Sequence, residues 1–231
     1  MLSAEEWSIV TLSLKVGGVA VLAALPVAFG LAWLLARYRF PGRVLLDGFV
    51  HLPLVLPPVV TGWLLLIAFG PAGPIGSRLE SWFGVTLMFR WTGAALAAAI
   101  MALPLMVRAM RLSIESVDRR LEGAARTLGA GRWHAFRTIS LPLALPGVLA
   151  ALVLGFARSI GEFGATITFV SNIPGETRTL PLAIYSALQM PGGEAMVTRL
   201  ALLSVALSLG ALVLSEWLVR RTHGERMRRG D

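Results

Sequence analysis

The 231-residue sequence predicts an all-α polytopic membrane protein: one transmembrane domain over residues 1–231, with about five membrane-spanning helices. Three observations carry that expectation. Hydrophobic residues make up 56% of the chain and mean hydropathy is +0.73, a bias beyond that of an ordinary soluble domain. The charges do not interleave with apolar residues but stand between apolar runs long enough to cross a bilayer. Finally, 15 of the 21 basic residues gather in three clusters at the ends of those runs.

The same facts exclude other classes. A net charge of +8 suggests nucleic acid only if one face collects it, and here the arginines flank apolar segments instead. The absence of cysteine excludes a disulfide scaffold and cysteine catalysis. Glu5 and Glu6 stand where a cleavable signal would be positive, so no signal peptide is expected.

The first span covers residues 9–36, longer than the roughly 20 residues a bilayer requires, so it tilts or begins with an interfacial turn near Trp7. Its one charge, Lys15, lies near the outer end and can snorkel to water. Gly17, Gly18, Ala20, Ala23 and Ala24 form a small-residue face for close packing. The second span, 48–70, carries Pro53, Pro57 and Pro58. Prolines remove backbone donors, so it is either a kinked packing helix or a broken helix lining a pathway, with Pro57, Pro58 and Thr61 at the break.

A turn-rich loop follows, with the amphipathic piece LESWFGV at an interface. The third span covers 91–112. The fourth, 143–164, ends in ARSIGEFGAT, where Arg158 and Glu162 stand four apart and share a helix face. With Ser159 they form either a structural ion pair or a pathway-lining gate. Residues 180–190 are too few to span and read as re-entrant or interfacial. The last span covers 197–219.

Five spans place all three basic clusters (Arg37, Arg39 and Arg43; the arginines of 108–137; and Arg220, Arg221, Arg226, Arg228 and Arg229) on one side. A sixth span would put the tail opposite the central cluster. The N-terminus is therefore expected outside, with the 118–142 loop and the C-terminal tail in the cytoplasm.

That loop, DRRLEGAARTLGAGRWHAFRTISLP, is polar and Arg-rich yet has strong helix formers. It predicts two short helices joined by a glycine elbow at Gly129 and Gly131, the second ended by Pro142. Trp133 and Phe136 either enter a partner's cleft or anchor at the lipid interface. No chemistry of its own is visible. His51, His134 and His223 lack metal-ligand spacing, Ser159 has no suitable base nearby, and there is no phosphate-binding GxxxxGK[ST] loop.

The loop resembles the one shared by permease subunits of bacterial binding-protein-dependent ABC importers, whose pattern is E-A-A, three residues, G, nine residues, I-x-L-P. Ala124, Ala125, Gly129, Ile139, Leu141 and Pro142 match in spacing. The glutamate departs: Gly123 holds the family position and Glu122 precedes it, a shift that turns the side chain by about 100° on a helix. HLPLVLPPVVTG and RSIGEFGATITFVSNIPGETRTLPLAIY extend the likeness to permeases of molybdate importers, relatives of those for sulfate and tungstate.

The resemblance implies a type I importer permease fold in a bacterial inner membrane, two copies forming the pathway. It implies a periplasmic molybdate-binding protein and cytoplasmic ATPase subunits that hold ATP and Mg, with no cofactor or metal on this chain. It makes Glu122, Ala124, Ala125, Arg126, Thr127, Gly129, Ile139, Leu141 and Pro142 the ATPase-coupling residues. Two other classes stand against it. An intramembrane enzyme requires paired catalytic groups at one depth, and a membrane anchor has no use for prolines in a span or an ordered loop.

Overall fold

The computed structural model describes residues 3–227, and every element among them is helical. Helix α1 (Ala4–Arg37) opens on a reciprocal cap, Ser3 Oγ accepting from the Glu6 amide and the Glu6 carboxylate from the Ser3 amide. At about 1.5 Å per residue its 34 residues outrun a ~30 Å hydrocarbon layer. Ala20, Ala24, Ala28 and Ala32 are buried at helical spacing, so α1 lies close against α5 (Trp91–Ser116) and α8 (Leu141–Ile160). Helix α5 is the centre of the bundle, with Met101, Met106 and Met110 filling the gaps between small residues on its neighbours.

Four helices are long and apolar enough to cross a membrane, and a fifth span results if α2 (Arg43–Val55) and α3 (Pro58–Phe69) are counted as one broken pair. These two meet at a 114° bend. Pro53 is carried inside α2 without ending it; the break falls at Leu56 and Pro57, both with extended backbone. A residue followed by proline is pushed out of the helical region, and the consecutive prolines remove two donors, so the helix stops there.

The fourth apolar run departs from expectation at both ends. Its helix does not begin after Pro142. From α7 (Arg132–Ala135) the chain passes through a π-turn, Phe136–Ser140, straight into α8, one run over Arg132–Ile160. Pro142 therefore does not end the second short helix. It sits in the first turn of α8, where the π-register (Leu141 N–H to the Phe136 carbonyl) rearranges the bonds around its missing donor. At the other end α8 stops at Ile160, and a separate short helix, α9 (Gly164–Val170), follows.

Between α3 and α5 lies α4 (Gly76–Phe83), the amphipathic piece, with Trp82 and Phe83 exposed. Helix α10 (Leu180–Leu188) is too short to span and packs on the start of α1, the Leu180 amide donating to Ser13 Oγ at 2.8 Å. Helix α11 (Glu194–Met227) packs on α8 and α10, and its Arg199 pairs with buried Glu6 of α1 at 2.8 Å. Lys15 lies 3.6 Å from the centre of the Trp91 ring, a cation–π contact at the end of α5 away from the 118–142 loop. Arg228 and Arg229 of the basic tail lie outside the described residues, as do the side chains of Arg220, Arg221 and Arg226.

Candidate functional site

Two regions collect the residues singled out in the sequence. The first is the arm between α5 and α8. Helix α6 (Arg119–Thr127) starts at Asp118, whose carboxylate accepts from the Arg120 amide at 2.9 Å. It ends in a two-bond αL closure: the Gly129 amide donates to the Arg126 carbonyl, and the Ala130 amide to the Ala125 carbonyl. Gly129 takes φ +91°, which a side chain would strain, so the elbow depends on it.

The arm has two faces. Gly123, Ala124, Arg126, Thr127, Leu128 and Gly129 point to the outside, and Leu128 is 89% exposed, a bare apolar side chain at the tip. Beside it Arg126, Gly131 and Arg132 line an open cleft of about 550 Å³. The other face looks into the bundle. Glu122 accepts from Ser140 Oγ at 2.6 Å and pairs with Arg37 at 2.8 Å, while Arg119 donates to the Ala36 and Arg37 carbonyls at the end of α1. Ala125 is half-buried on this side, and Ile139 and Leu141, both half-buried, flank Ser140 at the root of α8. Phe136 packs edge-on against Trp33 of α1 at 4.9 Å between ring centres, and Trp133 stacks on Phe136 at 5.2 Å. Both aromatics therefore belong to a cluster on the end of α1, with Trp133 still largely exposed.

The second region is where two broken helices cross. A Cβ on Gly62 of α3 would lie 2.6 Å from the Ala165 carbonyl oxygen of α9, and one on Gly164 would lie 2.7 Å from Pro58 Cβ. Backbones approach this closely only because both positions are glycine. Pro57, Pro58 and Thr61 flank this crossing on the α3 side. Ser159 and Glu162 flank it on the α8–α9 side.

The Glu162 carboxylate, almost fully buried, works in two directions. It pairs with Arg158 at 2.7 Å and accepts from the Ala165 amide at 2.9 Å, capping α9. Arg158 and Glu162 thus do pair, but across the end of α8 rather than along a continuous helix. The hydroxyls of Thr61 and Ser159 are buried and make no hydrogen bond among the described residues.

Three features of these regions lie outside the residues singled out in the sequence. Gly62, Gly164 and Ala165 set the crossing, and the glycines alone hinted at it. Arg37, Arg119 and Ser140 hold the arm, with no local signal. A cluster at the loop end of α5 joins α2 to it, Arg111 bridging Asp47 at 3.0 Å and Glu115 at 2.9 Å. No group of three or more His, Asp or Glu side chains suited to a metal forms among the described residues.

A helical bundle with broken spans and an exposed helical arm is the architecture of an importer permease. The fold matches two solved transporters: a bacterial alginate ABC transporter in complex with an alginate pentasaccharide-bound periplasmic protein (TM-score 0.74, 19% identity, 95% of this chain and 80% of that one) and an amino acid ABC transporter with histidines (TM-score 0.63, 21% identity, 94% of each). The chain belongs to the family of binding-protein-dependent transport system inner membrane components, whose profile matches residues 24–224.

Within that family it is 61% identical over 220 residues to the molybdenum transport system permease protein ModB of Escherichia coli strain K12, covering 95% of this chain and 96% of that protein. It is 59% identical over 216 residues to the protein of the same name from Haemophilus influenzae, covering 94% of each. The sulfate transport system permease protein CysT of E. coli K12 is 38% identical over 201 residues, 85% of this chain and 72% of that protein.

Proposed function

We propose that this chain is the molybdate-conducting permease subunit of an ATP-driven importer. The observation that carries the reading is end-to-end identity of 61% to a permease named for molybdenum transport, against 38% to one named for sulfate. Sulfate is therefore the less favoured cargo, and tungstate is the alternative oxyanion. Two copies enclose the pathway, and a solute-binding protein delivers the oxyanion from outside the cytoplasmic membrane. The N-terminus lies on that outer side, and the arm and the C-terminal tail lie in the cytoplasm, as the arginine clusters favour.

The chain does no chemistry itself. ATP and Mg²⁺ belong to cytoplasmic ATPase subunits, which take the outer face of α6 and the elbow into a cleft. Bare Leu128 supplies apolar area there, and Arg126 and Arg132 supply charge-assisted contacts. Movement of the arm reaches the crossing of α3 and α9 through α8. Pro57, Pro58, Thr61, Arg158, Ser159 and Glu162 stand at the pathway there, the partly exposed Arg158 cation suited to an oxyanion in transit.

Deleting the gene and following molybdoenzyme activity tests the cargo. Activity is expected to fall in trace molybdate and return with excess molybdate but not with excess sulfate. Unchanged activity in trace molybdate, or rescue by sulfate, contradicts the assignment.

A further inference from the structure

The one carboxylate of the arm's motif does not face outward with the docking residues. Glu122 is turned inward, its Oε1 within 2.8 Å of an Arg37 guanidinium nitrogen and 2.6 Å of Ser140 Oγ. Arg37 is the last residue of α1, and its side chain is buried beside the Trp33 ring. Ser140 is the last residue of the π-turn, fully buried at the root of α8. One carboxylate therefore joins three elements: α6, the end of α1 and the start of α8. Arg119, one helical turn earlier on the same side, adds two bonds to the terminal carbonyls of α1. Gly123, by contrast, is exposed with open space around it.

We propose that Glu122 is a latch, a positioning residue that transmits motion from the docked arm into the spans and makes no contact with the ATPase. This rests on the docking reading above. With the latch closed, a push on α6 moves the ends of α1 and α8 as one body. Arg158 lies 18 residues beyond Ser140, about 27 Å along α8 at 1.5 Å per residue. A small displacement at the root is thereby carried to the crossing. With the latch open, α6 can follow the ATPase while the spans stay behind.

The test uses the complete transporter (permease, ATPase and solute-binding protein) in vesicles. Three quantities are read: ATPase retained on the purified permease, ATP hydrolysis, and molybdate taken up per ATP hydrolysed. Glu122→Gln keeps the shape of the side chain and removes its charge. It is expected to retain the ATPase at the wild-type level and to lower uptake per ATP by about tenfold.

Because the natural chain lacks cysteine, Arg37→Cys with Glu122→Cys allows a covalent substitute. Bridging the two thiols with a short reversible cross-linker is expected to restore coupling, and reducing it to remove coupling again. Leu128→Asp on the outer face is the contrasting variant, expected to release the ATPase.

Loss of the ATPase in Glu122→Gln would overturn the latch, since it would place Glu122 in the docking face. Wild-type uptake per ATP in that variant would overturn it too, as would a cross-link without effect. If Leu128→Asp and further changes on the outer face leave ATPase retention untouched, the docking reading fails and the latch falls with it.

Discussion

Two of the Arg–Glu pairs, Arg37–Glu122 at 2.8 Å and Arg158–Glu162 at 2.7 Å, have nearly equal length and do different work. In the first the arginine is buried and the glutamate side chain is 29% exposed; in the second the glutamate is buried to 2% and the arginine side chain is 25% exposed. The first pair spans 85 positions of sequence and ties an arm to two spans. The second is local, four residues apart, and shapes a single break by capping the helix that follows. Identical chemistry thus serves transmission where the carboxylate sits at a surface and local architecture where it is desolvated.

The comparison predicts unequal losses. Glu162→Ala should have the largest effect. It leaves Arg158 without its anion near membrane depth and uncaps α9, for about 3–5 kcal/mol. Glu122→Ala should cost less, about 1 kcal/mol, because it uncaps no helix and Arg37 keeps the negative end of the α1 dipole and the Trp33 ring beside its guanidinium. Thermal unfolding of the purified variants reads both, and equal losses would erase the distinction.

Gly62→Ala falls between them, and it probes the crossing without touching a charge. Its methyl would lie 2.6 Å from the Ala165 carbonyl oxygen, forcing α3 and α9 apart at about 1–3 kcal/mol. Reduced yield of folded protein with the pair Arg158–Glu162 intact would show that close backbone approach, as well as the pair, holds the break. A neutral Gly62→Ala would show that the crossing is loose.

Much of this was legible from residue order. The long runs gave α1, α5 and α11 directly, because an apolar run of about 20 residues or more satisfies its backbone polar groups in lipid as a helix, whereas a barrel strand needs only about half that length. Pro57 and Pro58 marked their break for the same reason that they cause it. The break after Ile160 was not legible: Gly161, Glu162 and Phe163 contain no proline, and an i, i+4 pair suggests a helix continuing through it. The join of α7 to α8 was hidden in the opposite way. Pro142 looks like a stop, yet a π-turn before it absorbs the missing donor.

The arm itself was visible through its spacing, and so was the displacement of Glu122. Where that side chain goes was not. Its partners lie 85 residues upstream and 18 downstream, and only the packing of α6 across the ends of α1 and α8 brings them together. Ala125, which looks like a twin of Ala124, lies on the inward side for the same geometric reason.

Radiolabelled molybdate uptake into vesicles holding the permease, its ATPase and its solute-binding protein tests the transport role most directly. Uptake is expected to need ATP and all three proteins, to be abolished by excess unlabelled molybdate, and to be left largely unchanged by equimolar sulfate. Uptake without ATP, or uptake that sulfate suppresses as well as molybdate does, would contradict it.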